Sequence, residues 1–312
     1  VSGRTLVGVG AGGLLLLAVL PPFLPTYVVI LLTESLIAAI AAGSLDLLIG
    51  YTGLASLGHA AFFAVGAYAT GILATRHTAS FVTAVVASVL LAAATSALVA
   101  LLALRASGIY FMMITLSVSM CAWGLAYRWV SLTGGDTGIV SIGRPKLALL
   151  PVARGGLDFY YLVLAFFAAC VVLLLLLIHS PFGKTLVGIR DSESRMRVLG
   201  FDVWLHKYLA LVIAGAFAGL SGCLYAYYNG HVGPDAVDLA HSMLFVLMVI
   251  IGGPGTLVGP LVGAFIITFL EKMVSVFTER WVMVLAVAYV ITALWAPGGL
   301  VGLLRGRARR VA

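Results

Sequence analysis

Glu34, Asp46, Tyr51, Thr52, Ser56 and His59 bring carboxylates, hydroxyls and an imidazole into one short stretch of an otherwise apolar chain. A carboxylate in hydrocarbon is costly and turns toward a bundle interior or water. Glu34 therefore reads as a pathway or interface group, or as a residue near the outer interface if its span starts later. Asp46 can titrate, pair with His59, or face the cytoplasmic interface. A neutral imidazole donates one hydrogen bond and accepts another, which suits His59 to tying broken backbone together; direct contact with a substrate is the other reading. Gly50-Tyr51-Thr52-Gly53-Leu54-Ala55-Ser56-Leu57-Gly58-His59-Ala60-Ala61-Phe62-Phe63 places glycine and polar groups where lipid favours Leu and Val. Irregular backbone at membrane depth is tolerated only where protein or a watery cavity surrounds it. Tyr51, Thr52, Gly53, Ser56 and His59 are thus candidates to line a path.

Bond-breaking chemistry finds little support. Gly219-Leu220-Ser221-Gly222 has the form of an intramembrane serine nucleophile, which needs a base on a neighbouring helix. The downstream His231 and His241 fall in an expected outside loop. Gly215, Gly219 and Gly222, with Ala214, Ala216 and Ala218, read instead as a small-residue packing face. Cys121, Cys170 and Cys223 lie in apolar runs without metal-like or disulfide spacing and are expected to be buried. No phosphate-binding Gly-rich loop of the Walker type is present in the sequence.

The elements that hold these residues are membrane helices. Of 312 residues, 62% are hydrophobic and 9% charged, against about 25% charged in soluble domains. With roughly 20 residues per span, the chain is an all-α polytopic membrane protein of about 8–10 spans, one domain over 1–312. Aromatic and basic residues do not interleave, which excludes nucleic acid as a partner. The apolar runs fall at 6–24 (a retained first span), 27–49, 59–75, 80–104, 108–130, 158–179, 207–228 and 281–296. A polar segment occupies 131–157 and a charged one 180–206.

A second interruption, Gly252-Gly253-Pro254-Gly255-Thr256, divides the apolar region 242–271 and resembles the first in opening on Ile-Gly. Paired Gly/Pro-broken segments point to a transporter's repeat and pathway; chance likeness between glycine-rich membrane segments is the other reading. Read as a hairpin of two short helices, 242–271 returns to its starting side. Eleven of the 18 Lys and Arg then share one side with 180–206 and the C-terminal tail, which makes that side cytoplasmic. Segments 131–157 and 229–241 fall outside. There Asp136, Asp158, Asp235 and Asp238 give the outer face some negative charge, which either pairs with a partner's basic residues or stays solvated.

In segment 180–206, Asp191-Ser192 is placed to cap a short helix and Gly200 to end it. Leu186, Ile189, Met196 and Leu199 are expected to form an exposed apolar stripe suited to a partner's groove.

Gly-Tyr-Thr-Gly-x-x-Ser-Leu-Gly-His-Ala-Ala-Phe-Phe resembles the permeases of branched-chain amino acid ABC transporters. So do Gly108-Ile109-Tyr110-Phe111, Ser131-Leu132-Thr133-Gly134-Gly135-Asp136-Thr137-Gly138, Gly188-Ile189-Arg190-Asp191-x-Glu193 with Leu199-Gly200, and Gly252-Gly253-x-Gly255-Thr256-Leu257-x-Gly259-Pro260. The resemblance spans roughly 27–304 and is nearest the longer, M-type permease. It implies an importer half in the bacterial cytoplasmic membrane, with an H-type permease, two cytoplasmic ATPases and an extracytoplasmic binding protein as partners. ATP and Mg would sit on the ATPases, and this chain would hold no cofactor. Gly188, Ile189, Arg190, Asp191, Glu193, Arg195 and Gly200 fall on the family's ATPase-coupling loop. Thr133, Gly134, Gly135 and Asp136 would face the binding protein. Glu34, Asp46 and the two glycine-rich breaks would gate the path. Relatives with the same motifs carry urea, short amides or other amino acids. A stand-alone secondary transporter or channel is the reading of another class, for which Glu34 and Asp46 are meagre intramembrane charge. The chain departs from the family in Asp46, where Asn is usual, and in Gly298, where Arg often follows the proline.

Overall fold

Small residues at helical spacing decide which helices touch. The computed structural model describes residues 12–77, 79–143 and 157–278, with isolated positions between 283 and 302. The expected span 281–296, the Pro297-Gly298 departure and the basic tail lie largely or wholly outside the described residues.

Among the described residues the chain is almost entirely helical, as expected of a polytopic membrane protein. Helix α1 covers Gly12–Phe23. It is followed by α2 (Thr26–Asp46), α3 (His59–Arg76), α4 (Phe81–Ala103), α5 (Ile109–Arg128) and α6 (Val130–Thr133). The remaining helices are α7 (Leu157–His179), α8 (Pro181–Asp191), α9 (Glu193–Val198), α10 (Val203–Asn229), α11 (Leu239–Gly252) and α12 (Val258–Phe277). Six described helices are long and apolar enough to cross a membrane, namely α2 with its extension to Thr52, α4, α5, α7, α10 and α12.

Helix α10 is the central post and packs against α2, α3 and α4. On α4, Ala84, Ser88, Ala92, Ser96 and Ala100 recur every fourth residue and are fully buried, while Val82, Val86, Leu90 and Leu98 face outward. The expected packing face on α10 meets this stripe: a Cβ at Gly219 would overlap the Ala92 side chain, and one at Gly215 the Ser96 side chain. Gly222 lies against the Phe63 carbonyl of α3. Such close approach lets dispersion and interhelical hydrogen bonds replace the hydrophobic drive that lipid removes. Ser88 Oγ donates across to the Gly66 carbonyl at 3.0 Å. Tyr160 of α7 holds α1 by donating to the Leu17 carbonyl at 2.7 Å.

Two groups of connecting segments sit at opposite ends of the bundle. Strand β1 (Ile139–Val140) pairs antiparallel with β2 (His231–Val232), so residues 131–143 and 229–241 meet at one end. Arg76, closing α3, donates to the Ser131 carbonyl at 2.7 Å at that same end. Helices α8 and α9 lie at the other end of α10. Region 242–271 is a hairpin: Gly252 meets Gly259 and Gly263 meets Met248, an antiparallel register. Its arms are unequal, however. Helix α11 has 14 residues, but α12 has 20, long enough to cross.

Candidate functional site

The first break is displaced from its expected position. Helix α2 does not stop at Ile49 but continues through a π-helical turn, Leu47–Thr52. Thr52 Oγ1 donates to the Leu47 carbonyl at 2.7 Å, and the Leu54 amide reaches back to Leu48 at 2.9 Å. Gly53 ends the helix with φ of 76°, a left-handed conformation natural to glycine. Only the residues from Gly53 to Gly58 are irregular.

The two breaks meet. Asp46 is fully buried and does not pair with His59. Its Oδ1 accepts from the Gly255 amide at 2.7 Å and its Oδ2 from the Leu257 amide at 3.3 Å. These bonds hold a loop in which Gly253, Gly255 and even Leu257 have positive φ. A left-handed non-glycine residue costs roughly 1–2 kcal/mol, so the Asp46 carboxylate offsets a strain the loop cannot relieve locally. Thr256 Oγ1 accepts from the Gly259 amide, in the first turn of α12, at 3.0 Å. Gly50 completes the contact: a Cβ there would overlap both Asp46 Oδ1 and the Gly255 nitrogen.

The charged segment reaches the same point. Ser180 caps α8, and Ser192, as expected, caps α9. Gly200 follows α9 with φ of 86°. From the last turn of α8, Arg190 Nη1 donates to the Gly50 carbonyl. A Cβ on Gly53 would stand 3.0 Å from Arg190 Cγ, and one on Gly255 would stand 3.1 Å from its Nη1. Arg190 thus touches both breaks while pairing with exposed Asp191 at 3.3 Å. Glu193 pairs with Lys207 of α10 and, at 3.4 Å, with Arg197.

The expected apolar stripe does not face outward as a unit. Leu186 and Ile189 are buried against the bundle, and Met196 folds over Gly188. Amphipathic spacing marks an apolar face but not which neighbour covers it. The exposed apolar residues here are Val198, Leu199, Phe201 and Trp204, with Arg195 beside them in the open.

A family model described as the permease component of the branched-chain amino acid transport system matches residues 27–294. The chain belongs to this family. It is 29% identical over 315 residues to the high-affinity branched-chain amino acid transport system permease protein LivM of Escherichia coli K12, covering 94% of this chain and 74% of the relative. LivM of Salmonella typhimurium LT2 matches to the same extent. A probable LivM of Methanocaldococcus jannaschii is 24% identical over 142 residues, 45% of this chain and 41% of that one. No solved structure matches the chain significantly. The protein is a multi-pass membrane permease subunit.

Other residues of this permease fall away from the junction. His59 Nε2 lies 2.8 Å from Ser44 Oγ, whose hydroxyl proton goes to the Ala41 carbonyl. That arrangement makes Nε2 the donor. Ser56 accepts from the Gly58 amide at 3.3 Å, and Tyr51 is buried. At the opposite end, Thr133 donates to the Ala126 and Trp129 carbonyls while Gly134 and Gly135 turn with positive φ. Asp136 alone of that group stands exposed. Asp238 caps α11 through the Leu239 amide at 2.7 Å. Ser221 is buried and donates to the Ile37 carbonyl at 2.6 Å, a packing bond between α10 and α2.

Several expectations change. Cys121 is exposed, unlike Cys170 and Cys223. His241 lies on α11, stacked on Phe63 at 5.8 Å, and not in a loop. Glu34 pairs with Lys272 at 2.8 Å. Sequence reasoning missed Lys272, Ser44 and Lys207. A lysine at the polar end of an amphipathic helix was the available signal for the first.

Proposed function

We propose that this chain is one permease subunit of an ATP-driven ABC importer that moves branched-chain amino acids across the cytoplasmic membrane. It would pair with an H-type permease, two cytoplasmic ATPases that carry ATP and Mg, and an extracytoplasmic binding protein. The observation that carries the reading is Arg190: one side chain on the short α8–α9 unit contacts both helix breaks, at Gly50 and beside Gly255.

In this reading Gly188, Ile189, Arg190, Asp191, Glu193, Arg195 and Gly200 belong to the unit that receives ATPase motion. Buried Ile189 and the Glu193–Lys207 pair key that unit to the bundle, and exposed Arg195, Val198 and Leu199 meet the ATPase. Arg190 passes its displacement to Gly50 and Gly53 on one break and to Gly252, Gly253, Gly255 and Thr256 on the other. A charge-assisted hydrogen bond is worth roughly 1.5–3 kcal/mol, enough to make two discrete arrangements of the junction. Asp46 fixes the hairpin tip, while Tyr51, Thr52, Ser56 and His59 set the α2–α3 connection. The end carrying Thr133, Gly134, Gly135 and Asp136 faces the binding protein.

Reconstitution into liposomes tests this. The five-chain-type complex with its binding protein should import leucine only with internal ATP, and this chain alone should transport nothing. Solute movement through the chain alone would overturn the reading in favour of a self-sufficient carrier or channel.

A further inference from the structure

At the β1–β2 end of the bundle, α2, α3, α10, α11 and α12 surround a cavity of about 230 Å³. That is below the roughly 300–1,000 Å³ of drug-sized sites and suits one small molecule. Its polar side is a charge cluster. Lys272 Nζ lies 2.8 Å from Glu34 Oε1 and 4.0 Å from Glu271 Oε1, and Asp235 stands at the rim. An ammonium has three donors, and only Glu34 is within hydrogen-bond distance among these carboxylates. Three carboxylates line the cavity beside two basic groups, Lys272 and the imidazole of His241. Its other side is mainly apolar and aromatic, built from Phe63, Leu244, Phe245 and Met248 with Tyr225 and His241 packed against them. Ionisable groups among membrane helices are costly and mark solute pathways.

We propose that this cavity is a waypoint for a free, neutral, apolar amino acid. The substrate ammonium sits among Glu34, Glu271 and Asp235, its carboxylate takes a free donor of Lys272, and its side chain lies against Phe245 and Met248. The proposal rests on the importer reading and deepens it: a site in the permease itself that reads both the zwitterion and the apolar side chain. Phe245 also reaches His59, at 6.3 Å between rings, so the cavity abuts the α2–α3 connection on the way to the Asp46 junction.

The test uses the reconstituted complex and leucine as the probe. Lys272→Met should lower leucine import about tenfold or more while ATPase activity stimulated by the loaded binding protein persists. Ala38→Phe, which fills the cavity from α2, should lower import of leucine more than that of alanine. Exchanging the pair, Glu34→Lys with Lys272→Glu, restores a structural ion pair but moves the cation away from Glu271, and import should stay low. Wild-type import in Lys272→Met and Ala38→Phe, or full rescue by the exchange, would overturn the proposal. Binding is read separately by maleimide labelling of Ala38→Cys in a Cys121→Ser background, which leucine should slow. Absence of protection overturns the waypoint even if the complex imports leucine. Protection without import by the wild-type complex would sink the importer reading instead.

Discussion

Replacing Asp46 should unmoor the hairpin tip, and the structure fixes how much. The carboxylate satisfies two amides, Gly255 at 2.7 Å and Leu257 at 3.3 Å, in a fully buried setting. A hydrogen bond to a charged group contributes roughly 1.5–3 kcal/mol, and an orphaned buried amide forfeits about that much. Asp46→Ala therefore costs about 3–6 kcal/mol of local anchoring. At 1.4 kcal/mol per tenfold, the tip should open about 10²- to 10⁴-fold more often. Asp46→Asn is milder. Its one carbonyl oxygen keeps the Gly255 bond, but its amide nitrogen sets a donor against the Leu257 donor. About one charge-assisted bond is lost, or roughly 1.5–3 kcal/mol. Hydrogen exchange in nanodiscs reads such local opening. Peptides covering 253–257 should exchange faster in the order wild type, Asn, Ala, while peptides over β1 and β2 at the far end stay unchanged. A folded Asp46→Ala protein with wild-type exchange at 253–257 would refute the reasoning.

Gly50→Ala should sharply lower the folded fraction recovered in detergent, because its Cβ meets the Asp46 carboxylate and the Gly255 backbone rather than a movable side chain. Gly124→Ala, on a helix face with nothing within 4 Å, should match wild type in the same size-exclusion assay; equal behaviour of the two would count against the junction. Arg190→Ala should uncouple, with leucine import in the reconstituted complex falling about tenfold while ATP turnover persists. That figure corresponds to losing a charge-assisted bond at the low end of roughly 1.5–3 kcal/mol. An unchanged ratio of leucine imported to ATP hydrolysed would remove Arg190 from the coupling route.

Local chemistry was legible and distant pairing was not. Ser192 as a cap, Gly200 as a terminator, the Gly-Ala face of α10 and the hairpin at Gly252–Thr256 each depend on residues close in sequence or on helical period. The partner of Asp46 lies more than 200 positions away, and no periodicity encodes it. His59 was the nearer polar group, yet the π-helical turn places Gly50, not His59, beside the carboxylate. That turn was itself unreadable, since it follows from Thr52 bonding back to Leu47 and from Arg190 gripping Gly50. The coupling stripe failed for a related reason: Leu186 and Ile189 have helical spacing but find their cover on the bundle they cross.

The junction's composition has a mechanical consequence. Where three segments meet through Gly50, Gly53 and Gly255, the nearest neighbours are backbone, the Asp46 carboxylate and the Arg190 side chain. None of these nearest contacts is an apolar side chain that could absorb a displacement by changing rotamer. A shift of α8 must then either carry both breaks with it or break the Arg190–Gly50 bond outright. Packed contacts of this kind switch between arrangements and do not deform smoothly. Substituting a bulkier residue at Gly53 would interpose side chain against Arg190 Cγ, 3.0 Å from the new Cβ, and would add the strain of its positive φ. In the proposed coupling, glycine at these positions would allow a rigid handoff from the α8–α9 unit to the α2 break and the hairpin together.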